Sequence, residues 1–465
     1  MEDIDRLVCP REDSGGFSVV LAEGVLRWAC HLGIDQHWQE LWIGHPSRRK
    51  TAYTAPQRIS ALLAGLACGL RGIAPGNQLL RPNSAMIAML DGRFPDQGTI
   101  HRWLDGVTPE QAADLRRHLH QVVRSHGHFR KRLFSGDMLY VDVDGQGLIA
   151  RGHKFEEAKV GWMDNELDRG FQRYVAYVGE TQETLDEVLL PANRTLMSSL
   201  AEIVPGLNEV FVTRQERRHV VLRLDAHGGT VANIHMIRKA KYHYICPLLS
   251  ASGIKRLKEH VATLRGSWFR YTDSTGLVRL IEFWIVPKWC LTGRGMKVRI
   301  RTHVTVFHDH TPNVQRPWLM LVSDLKTQVG RKSWERYHQR CGTIEEYNDQ
   351  SERAYHLEVM RTSNMSGLNA VLSLVGLCWN LTRWSTEELT LPTVLSPNAD
   401  PDKWRRAATL DMSSLMERAS RSGLRLSRES VSAALEIEDT AETAESKKWC
   451  AWLRQPVQQR LRLAG

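Results

Sequence analysis

Carboxylates end two apolar segments of the sequence, at the point where each segment gives way to a glycine-containing turn. Asp144 ends the segment 139–144, and Asp225 ends the segment 220–225. A third acid, Glu345 or Glu346, begins a charged segment that is predicted to be helical. Carboxylate oxygens are hard ligands that suit Mg²⁺, and a converging set can hold two ions about 3.5 to 4 Å apart. Two such ions activate an attacking oxygen and stabilise a leaving oxygen, which is what phosphodiester cleavage requires.

The elements around these acids predict an α/β sheet. Segments 139–144, 173–179 and 220–225 have the apolar composition of strands, and a helical segment near 195–203 precedes the third of them. In such sheets, functional sites gather outside the carboxyl ends of the strands. The two aspartates are therefore expected to lie close together at the ends of their strands.

The first 135 residues are predicted to form a mainly helical domain. Apolar residues recur with helical spacing at 60–70 and at 112–123, and between these runs Thr99 is a suitable N-cap for a short helix. That helix would carry His101 and Arg102 on the side opposite its apolar face. The polar face suits a helix presented to DNA, and it also suits the solvated side of a small helical domain.

Residues 241–327 are predicted to form a β-rich basic insertion. Strand-like runs lie at 242–249, 268–272, 277–286, 296–307 and 318–322. Twelve Lys and Arg against four Asp and Glu give residues 251–320 a charge of +8, and tryptophans and tyrosines lie among them. Since basic side chains contact phosphates and aromatic rings stack on bases, the insertion is a candidate DNA-binding surface. Its candidate contact residues are Lys297, Arg299, Arg301, Trp289 and Trp318. The alternative is a solvated basic sheet with aromatic core residues.

Composition narrows the class of protein. The 465 residues carry a net charge of +10 with a pI of about 9.3, which favours an anionic partner such as nucleic acid or a membrane surface. The N-terminus is acidic and polar, unlike a signal peptide, and the longest apolar run, 368–381, is shorter than a membrane span and is predicted to be a buried helix. The eight cysteines are scattered singly, as in a cytoplasmic protein with reduced thiols.

The order of these motifs resembles that of the DDE transposases of bacterial insertion sequences. Residues 139–146 (LYVDVDGQ) are similar to the first-strand motif of that family, and residues 221–228 (VLRLDAHG) to its Arg-x-Asp turn. Residues 337–346 (YHQRCGTIEE) resemble the Tyr-x-x-Arg motif that is followed by a glutamate, and the segment 369–383 resembles the asparagine-bearing helix after it. The resemblance implies a ribonuclease-H-like mixed sheet flanked by helices, with a mainly helical N-terminal domain and a β-rich insertion.

The resemblance also implies the metal ligands. Asp144, Asp225 and Glu346 would be the catalytic residues that hold two Mg²⁺ ions, with Mn²⁺ as a possible substitute. Glu345 is the alternative to Glu346, because the family's spacing from the preceding arginine fits neither glutamate and only Glu346 has a basic residue, Arg353, seven positions later. Asp142 is the alternative to Asp144, which the following Gly145-Gln146 pair favours.

DNA contacts follow from the same resemblance. Tyr337 and Arg340 would touch phosphate near the cleavage point, since the guanidinium fork matches phosphate oxygens. His227, two residues after the second aspartate, is either a further phosphate contact or a structural histidine. Trp318 or Trp289 would stack on a flipped base if the pathway passes through a DNA hairpin. Further predicted DNA-binding residues are Arg102 and Arg353.

The implied activity is cut-and-paste transposition, in which the enzyme binds terminal inverted repeats, cleaves the DNA strands and transfers them to target DNA. The protein would act as a homodimer on double-stranded DNA in the bacterial cytoplasm, associated with the nucleoid and not with a membrane. The predicted domains are 1–135, 136–240, 241–327, 328–390 and a C-terminal polar helical tail, 391–465. Two alternatives remain open. One is a DNA-binding descendant of a transposase with decayed catalysis, and the other is a glycosyltransferase that uses Asp142 and Asp144 as an Asp-x-Asp metal motif.

Overall fold

A computed structural model describes residues 20–40 and 53–394 and two short strands near the C-terminus, 425–428 and 435–438. Short gaps in the description lie at 137, 152–153, 164–165, 249–250, 273–275, 293–298, 313, 315–316, 328 and 341. The predicted DNA contact Lys297 and most of the tail 391–465 lie outside the described residues.

The described elements alternate between helical and β-rich stretches. The helices are α1 Val20–His31, α2 Ile34–Glu40, α3 Ala55–Ala67, α4 Gly76–Leu79, α5 Ser84–Met89, α6 Gln97–Asp105, α7 Pro109–His126, α8 Phe129–Leu133, α9 Leu196–Val210, α10 Arg214–Arg217, α11 Val231–Ala240, α12 Ala251–Val261, α13 Arg331–His338, α14 Ile344–Tyr355 and α15 Met365–Val394. The strands are β1 Leu139–Ile149, β2 Lys159–Met163, β3 Glu166–Val178, β4 Glu183–Pro191, β5 Val220–Leu224, β6 His243–Pro247, β7 Ser267–Thr272, β8 Val278–Thr292, β9 Arg299–Asp309, β10 Trp318–Ser323, β11 Arg425–Arg428 and β12 Leu435–Glu438. The chain is thus a mixed α/β protein, as predicted.

The chain divides into two compact units. The helical unit comprises residues 1–122, 150–157 and 348–465, and the sheet unit comprises residues 123–149 and 158–347. The five predicted domains have other boundaries, and that division stays a prediction.

The helical unit is built around α15, which packs on α1, α3 and α6. The segment Met365–Ser385 is long and apolar enough to cross a membrane, but 89% of its apolar window is buried inside the protein. It is therefore the core helix that the run 368–381 predicts. The short helix α6 begins three residues earlier than expected, because Asp96 and not Thr99 is its N-cap: the Asp96 carboxylate accepts from the Thr99 backbone N–H at 2.8 Å.

The sheet unit holds a ten-stranded mixed sheet among the described residues. Its order is β2-β3-β1-β5-β6-β10-β9-β8-β7, and β4 pairs with β3 beside β2. β1 runs antiparallel to β3 and parallel to β5, and β5 runs parallel to β6. β10 continues the sheet antiparallel to β6, so the strands of the basic insertion extend the same sheet as the strands that carry the two aspartates.

One hydrophobic cluster covers the centre of this sheet. It joins residues of β1, β5 and β6 to residues of β7 to β10 and to α13: Tyr140, Val221, Ile245, Phe269, Ile281, Phe307, Leu321, Leu325 and Trp334. At about 25 cal/mol per Å² of buried apolar surface, such a cluster is a principal source of stability. The insertion is therefore anchored to the rest of the sheet by side-chain packing as well as by backbone hydrogen bonds.

Candidate active site

The parallel pairing of β1 and β5 brings Asp144 and Asp225 to neighbouring positions. Val143 pairs with Leu224, so the next residue on each strand is an aspartate. Asp225 leaves its strand at once and caps a 3₁₀ turn, its carboxylate accepting from the Gly228 N–H at 2.9 Å. Asp144 differs from the prediction: it does not end its strand, because β1 continues to Ile149 paired with β3.

Glycines let the turn after Asp225 pack tightly. A Cβ at Gly229 would lie 1.8 Å from the carbonyl oxygen of Pro247, and a Cβ at Gly228 would lie 2.6 Å from the Cβ of Leu224. Any side chain at either position would push the turn away from β5 and β6. The two glycines therefore fix the place where the Asp225 carboxylate lies.

Arg340 neutralises Asp144 from the loop before α14. Its guanidinium donates to the Asp144 carboxylate at 2.8 Å, and both side chains are largely buried. Burial raises the pKa of Asp144, the Arg340 charge opposes that shift, and the negative charges of Asp225 and Glu345 raise the pKa further. Two acidic residues and one arginine thus act on the Asp144 carboxylate.

Two anchors hold the start of α14 against the sheet. The Thr343 hydroxyl, just before the helix, donates to Asp142 on β1 at 2.8 Å. Within the first turn, the Tyr347 hydroxyl accepts from Arg173 at 3.0 Å and donates to Glu187. The Arg173 guanidinium is itself paired with Glu187 at 2.9 Å, and both side chains are fully buried. The anchors set the position of the glutamates that lie between them in the sequence.

Of the two glutamates, Glu345 is the one whose charge acts on Asp144. Both are exposed, while Ile344 and Tyr347 on either side of them are buried. The choice of Glu346 as the third ligand stays a prediction, and the electrostatics of Asp144 favour Glu345.

Asp142 has a structural role. Both of its oxygens bind the Arg223 guanidinium, at 2.5 and 2.8 Å, and the side chain is fully buried. One of these oxygens also accepts from Thr343. A carboxylate that makes these contacts has little capacity left for a metal ion. This counts against Asp142 as the metal ligand in place of Asp144, and against the Asp-x-Asp metal motif of a glycosyltransferase.

The predicted DNA contacts divide into buried and exposed groups. Arg340 is buried on Asp144, and the half-buried Tyr337 packs against the central hydrophobic cluster. Arg102 on α6 is exposed, and Arg353 on α14 is exposed and paired with Asp349. His227 is exposed in the turn after Asp225.

In the insertion, Arg299 and Arg301 are exposed on one face of β9, with Ile300 and Thr302 buried on the other. The two candidate tryptophans are engaged within the protein. Trp318 stacks on His308 with ring centroids 4.2 Å apart. Half-buried Trp289 lies under the Arg256 guanidinium.

The side chains of Asp144, Asp225 and Glu345 suit Mg²⁺ by ligand type. All three offer carboxylate oxygens, which hard divalent cations prefer. Burial and, to a smaller extent, repulsion by Asp225 and Glu345 raise the pKa of Asp144, and a bound cation would oppose both effects.

Four residues that position the site are not indicated by the sequence alone: Arg173, Glu187, Thr343 and Tyr347. One signal was present for α14, where Ile344, Tyr347, Asn348 and Ser351 have the spacing of a buried helix face. Arg173 stood in a segment predicted as an apolar strand, and nothing in its spacing indicated a partner.

Comparisons with known proteins add little. No protein-family model matches the sequence, and no curated protein matches it. Among solved structures, a cryo-EM structure of a piggyBac transposase synaptic complex with hairpin DNA aligns with 88% of this chain and 83% of its own. The sequence identity is 10% and the TM-score 0.37, and a likeness of that size supports neither a fold family nor a function for this chain.

Proposed function

We propose that this protein is a DDE-type transposase that cleaves DNA strands and transfers them by metal-dependent phosphodiester chemistry. One observation carries the proposal: Asp144 and Asp225 follow a paired register on adjacent parallel strands, and the charge of Glu345, at the anchored start of α14, acts on Asp144. Two aspartates on a central sheet and a glutamate on a later helix are the arrangement that the resemblance implies.

The proposed fold family is ribonuclease-H-like. Its support is the strand order β4-β3-β1-β5-β6. In this order β3 is antiparallel to both β4 and β1, whereas β1, β5 and β6 are mutually parallel. Helices α9 and α11 pack on strands of this part of the sheet. The basic insertion would be the segment between the second aspartate and the glutamate.

In the proposed mechanism, Asp144, Asp225 and Glu345 would hold Mg²⁺, whose charge would assist activation of the attacking oxygen and stabilisation of the leaving oxygen. Arg340 keeps Asp144 ionised and oriented, since its charge opposes the effects of burial and of the two acidic neighbours. Thr343 and Tyr347 hold Glu345 in position through α14. The exposed His227, two residues beyond Asp225, is available to contact a phosphate near the reacting oxygen.

DNA is the proposed partner. The exposed arginines of β9 and the +8 charge of residues 251–320 suit contact with the phosphate backbone of inverted-repeat ends and target DNA. We place the protein in the bacterial cytoplasm with the nucleoid, as a homodimer on DNA. The Asp-x-Asp glycosyltransferase alternative has lost its support, because Asp142 is occupied by Arg223 and Thr343.

Excision from a plasmid tests the proposal. The plasmid carries the reading frame with its native flanking DNA, and strand breaks at the junctions are mapped with the wild type and with Asp144→Asn, Asp225→Asn and Glu345→Gln. Asp168→Asn is the matched control, since Asp168 is exposed on β3 and bonds to its neighbour's backbone. We expect junction cleavage with the wild type and the control alone, and only with Mg²⁺ or Mn²⁺.

Two results would contradict the proposed metal-dependent cleavage of DNA. Cleavage that survives all three substitutions would overturn the metal-ligand assignment. Tight binding of the flanking DNA by the wild type, without cleavage in either metal, would instead identify the decayed DNA-binding descendant.

A further inference from the structure

We propose that the basic insertion contains a second metal site, a Zn²⁺ site formed by Glu282, His308 and His310. One donor atom from each of these side chains lies within 4.8 Å of the other two. His308 Nδ1 lies 2.9 Å from His310 Nε2, and His310 Nε2 lies 3.0 Å from Glu282 Oε2. These separations are close to those between ligand atoms that share one small cation.

Strand register builds the cluster. Glu282 on β8 pairs directly with His308 on β9, and side chains that oppose each other across two strands lie about 4.5 to 5.5 Å apart at Cβ. His310 follows two residues later, so it belongs to the same face of the sheet. The His310 backbone N–H donates to the Leu280 carbonyl at 3.0 Å, which continues the pairing past the end of β9. The backbone therefore fixes all three ligand positions.

No pair of ordinary two-centre hydrogen bonds satisfies all three side chains. Two contacts converge on a single ring nitrogen, His310 Nε2, which has either one hydrogen or one lone pair to offer. If it donates to Glu282, it cannot accept from His308 and can offer His308 only a share of the same hydrogen. A cation between the three atoms would satisfy all of them at once, because each then directs a lone pair at the metal.

Tryptophans hold both histidine rings. Trp318 stacks on His308 with centroids 4.2 Å apart and ring planes 17° apart, and Trp268 lies 4.6 Å from His310. Trp268 and Trp318 flank the metal cluster in the pairing, since Trp268 pairs with Glu282 and Trp318 with His308. Rings held in this way keep the direction of their nitrogens, which a preorganised ligand set requires.

The donor set selects the metal. Two imidazoles and a carboxylate suit Zn²⁺ and other late first-row ions, whereas Mg²⁺ prefers oxygen ligands.

The nearby Asp309 is engaged by Arg279 at 3.1 Å, and the Lys258 ammonium lies over the Trp318 ring. His310 is exposed while Glu282 and His308 are half-buried, so the fourth position faces solvent. The site would join β8 to the end of β9 and stabilise the insertion.

Metal content of the purified full-length protein tests this inference. After removal of metals with a chelator, the protein is dialysed against Zn²⁺, and bound zinc is measured by mass spectrometry. We expect about one Zn²⁺ per chain for the wild type. Loss of a residue that only hydrogen-bonds to a metal ligand weakens metal binding roughly 10- to 100-fold. His308→Gln, His310→Gln and Glu282→Gln each remove a ligand and should weaken zinc binding by more than that. His260→Gln is the matched control, an exposed histidine of α12 in the same insertion.

A second measurement needs no variant. Co²⁺ bound by the wild type gives visible absorption whose intensity reports four-coordination with nitrogen ligands, and Zn²⁺ should displace it stoichiometrically. Absence of zinc binding by the wild type, or equal binding by the wild type and the three ligand variants, would overturn the site. Asp144→Asn should keep the zinc, so failure of this inference is distinguishable from failure of the proposed catalytic function.

Discussion

The Arg340 guanidinium donates to the Asp144 carboxylate at 2.8 Å in a largely buried ion pair within the sheet unit. Arg340 also donates to the Val143 carbonyl at 3.4 Å, so the same side chain holds the strand and its carboxylate. Burial and two acidic neighbours favour the protonated acid, whereas the Arg340 charge and, to a smaller extent, the Gly145 backbone N–H oppose them. The ionisation of Asp144 therefore depends on a residue from the loop before α14.

Replacement of Arg340 by Met should destabilise the protein and leave Asp144 protonated over a wider pH range. Removal of one partner of a buried ion pair costs about 3 to 5 kcal/mol in unfolding free energy. Chemical denaturation of Arg340→Met, Asp144→Asn and the double variant measures the coupling between them. Strictly additive effects would show that the pair contributes nothing.

The two aspartates of β1 should respond differently to the same substitution. Asp142→Asn leaves the buried Arg223 without its counter-charge and should cost about 3 to 5 kcal/mol. Asp144→Asn should lower the unfolding free energy by clearly less. Burial and acidic neighbours already raise the pKa of Asp144, and in the variant Arg340 would still interact with the nearby negative charges of Asp142 and Asp225. Denaturant midpoints without Mg²⁺ compare the two. An equal loss would contradict the structural role assigned to Asp142.

Glu345→Gln and Glu346→Gln separate the two candidates for the third metal ligand. Since the charge of Glu345 acts on Asp144, we expect Glu345→Gln to lower Mg²⁺-dependent junction cleavage by at least about 100-fold, in line with loss of several kcal/mol of transition-state stabilisation. Glu346→Gln should retain activity within a few fold. The reverse pattern would restore Glu346 as the ligand.

Tyr347→Phe removes one hydroxyl from a buried network and keeps the ring that stacks on Tyr177. It leaves Arg173 and Glu187 with one bond fewer each, which should cost about 1 to 3 kcal/mol. Because Tyr347 positions the first turn of α14, cleavage should also weaken while DNA binding does not. A cleavage rate unchanged by the substitution would show that the network does not position Glu345.

His118 should give the helical unit a pH-dependent stability. Burial, aided by His37, lowers the pKa of His118 from 6.5 to about 4. As pH falls below 6.5 the unfolded chain takes up this proton before the folded chain does, so the unfolding free energy decreases and levels off below about pH 4. The loss totals about 3.5 kcal/mol at about 1.4 kcal/mol per pKa unit. Denaturation of the wild type and His118→Leu from pH 7.5 to 4.5 isolates the contribution, and identical slopes would refute it.

The strands that carry the aspartates were predictable because local sequence determines them. The apolar run 220–225, which ends in an aspartate before a glycine-containing turn, predicted β5. The resemblance to DDE transposases rested on the order of the motifs. The length of β1 beyond Asp144 was not predictable, because its polar half is held by pairing with β3. Propensity does not encode such long-range pairing.

The contacts between residues of the site could not be predicted from the sequence for a related reason. Arg173 and Tyr347 are distant in the chain, and their contact depends on the whole sheet being assembled. The helix α12 was also missed, because its basic residues lie within a segment that reads as β-rich. Glu282 and the two histidines were unremarkable as isolated residues, and only the register of β8 and β9 brings them together.

Leu321 of β10 pairs with Pro247 of β6, and this pairing attaches strands β7 to β10 to the β6 edge of the sheet. Without these four strands, β6 would be the last strand on that side. A chain shortened by removal of residues 251–320 would expose the hydrogen-bonding edge of β6, whose side chains are almost all buried. Such an uncovered apolar edge templates pairing with other chains. By pairing with β6, these strands would protect the protein against aggregation, independently of any DNA or metal binding.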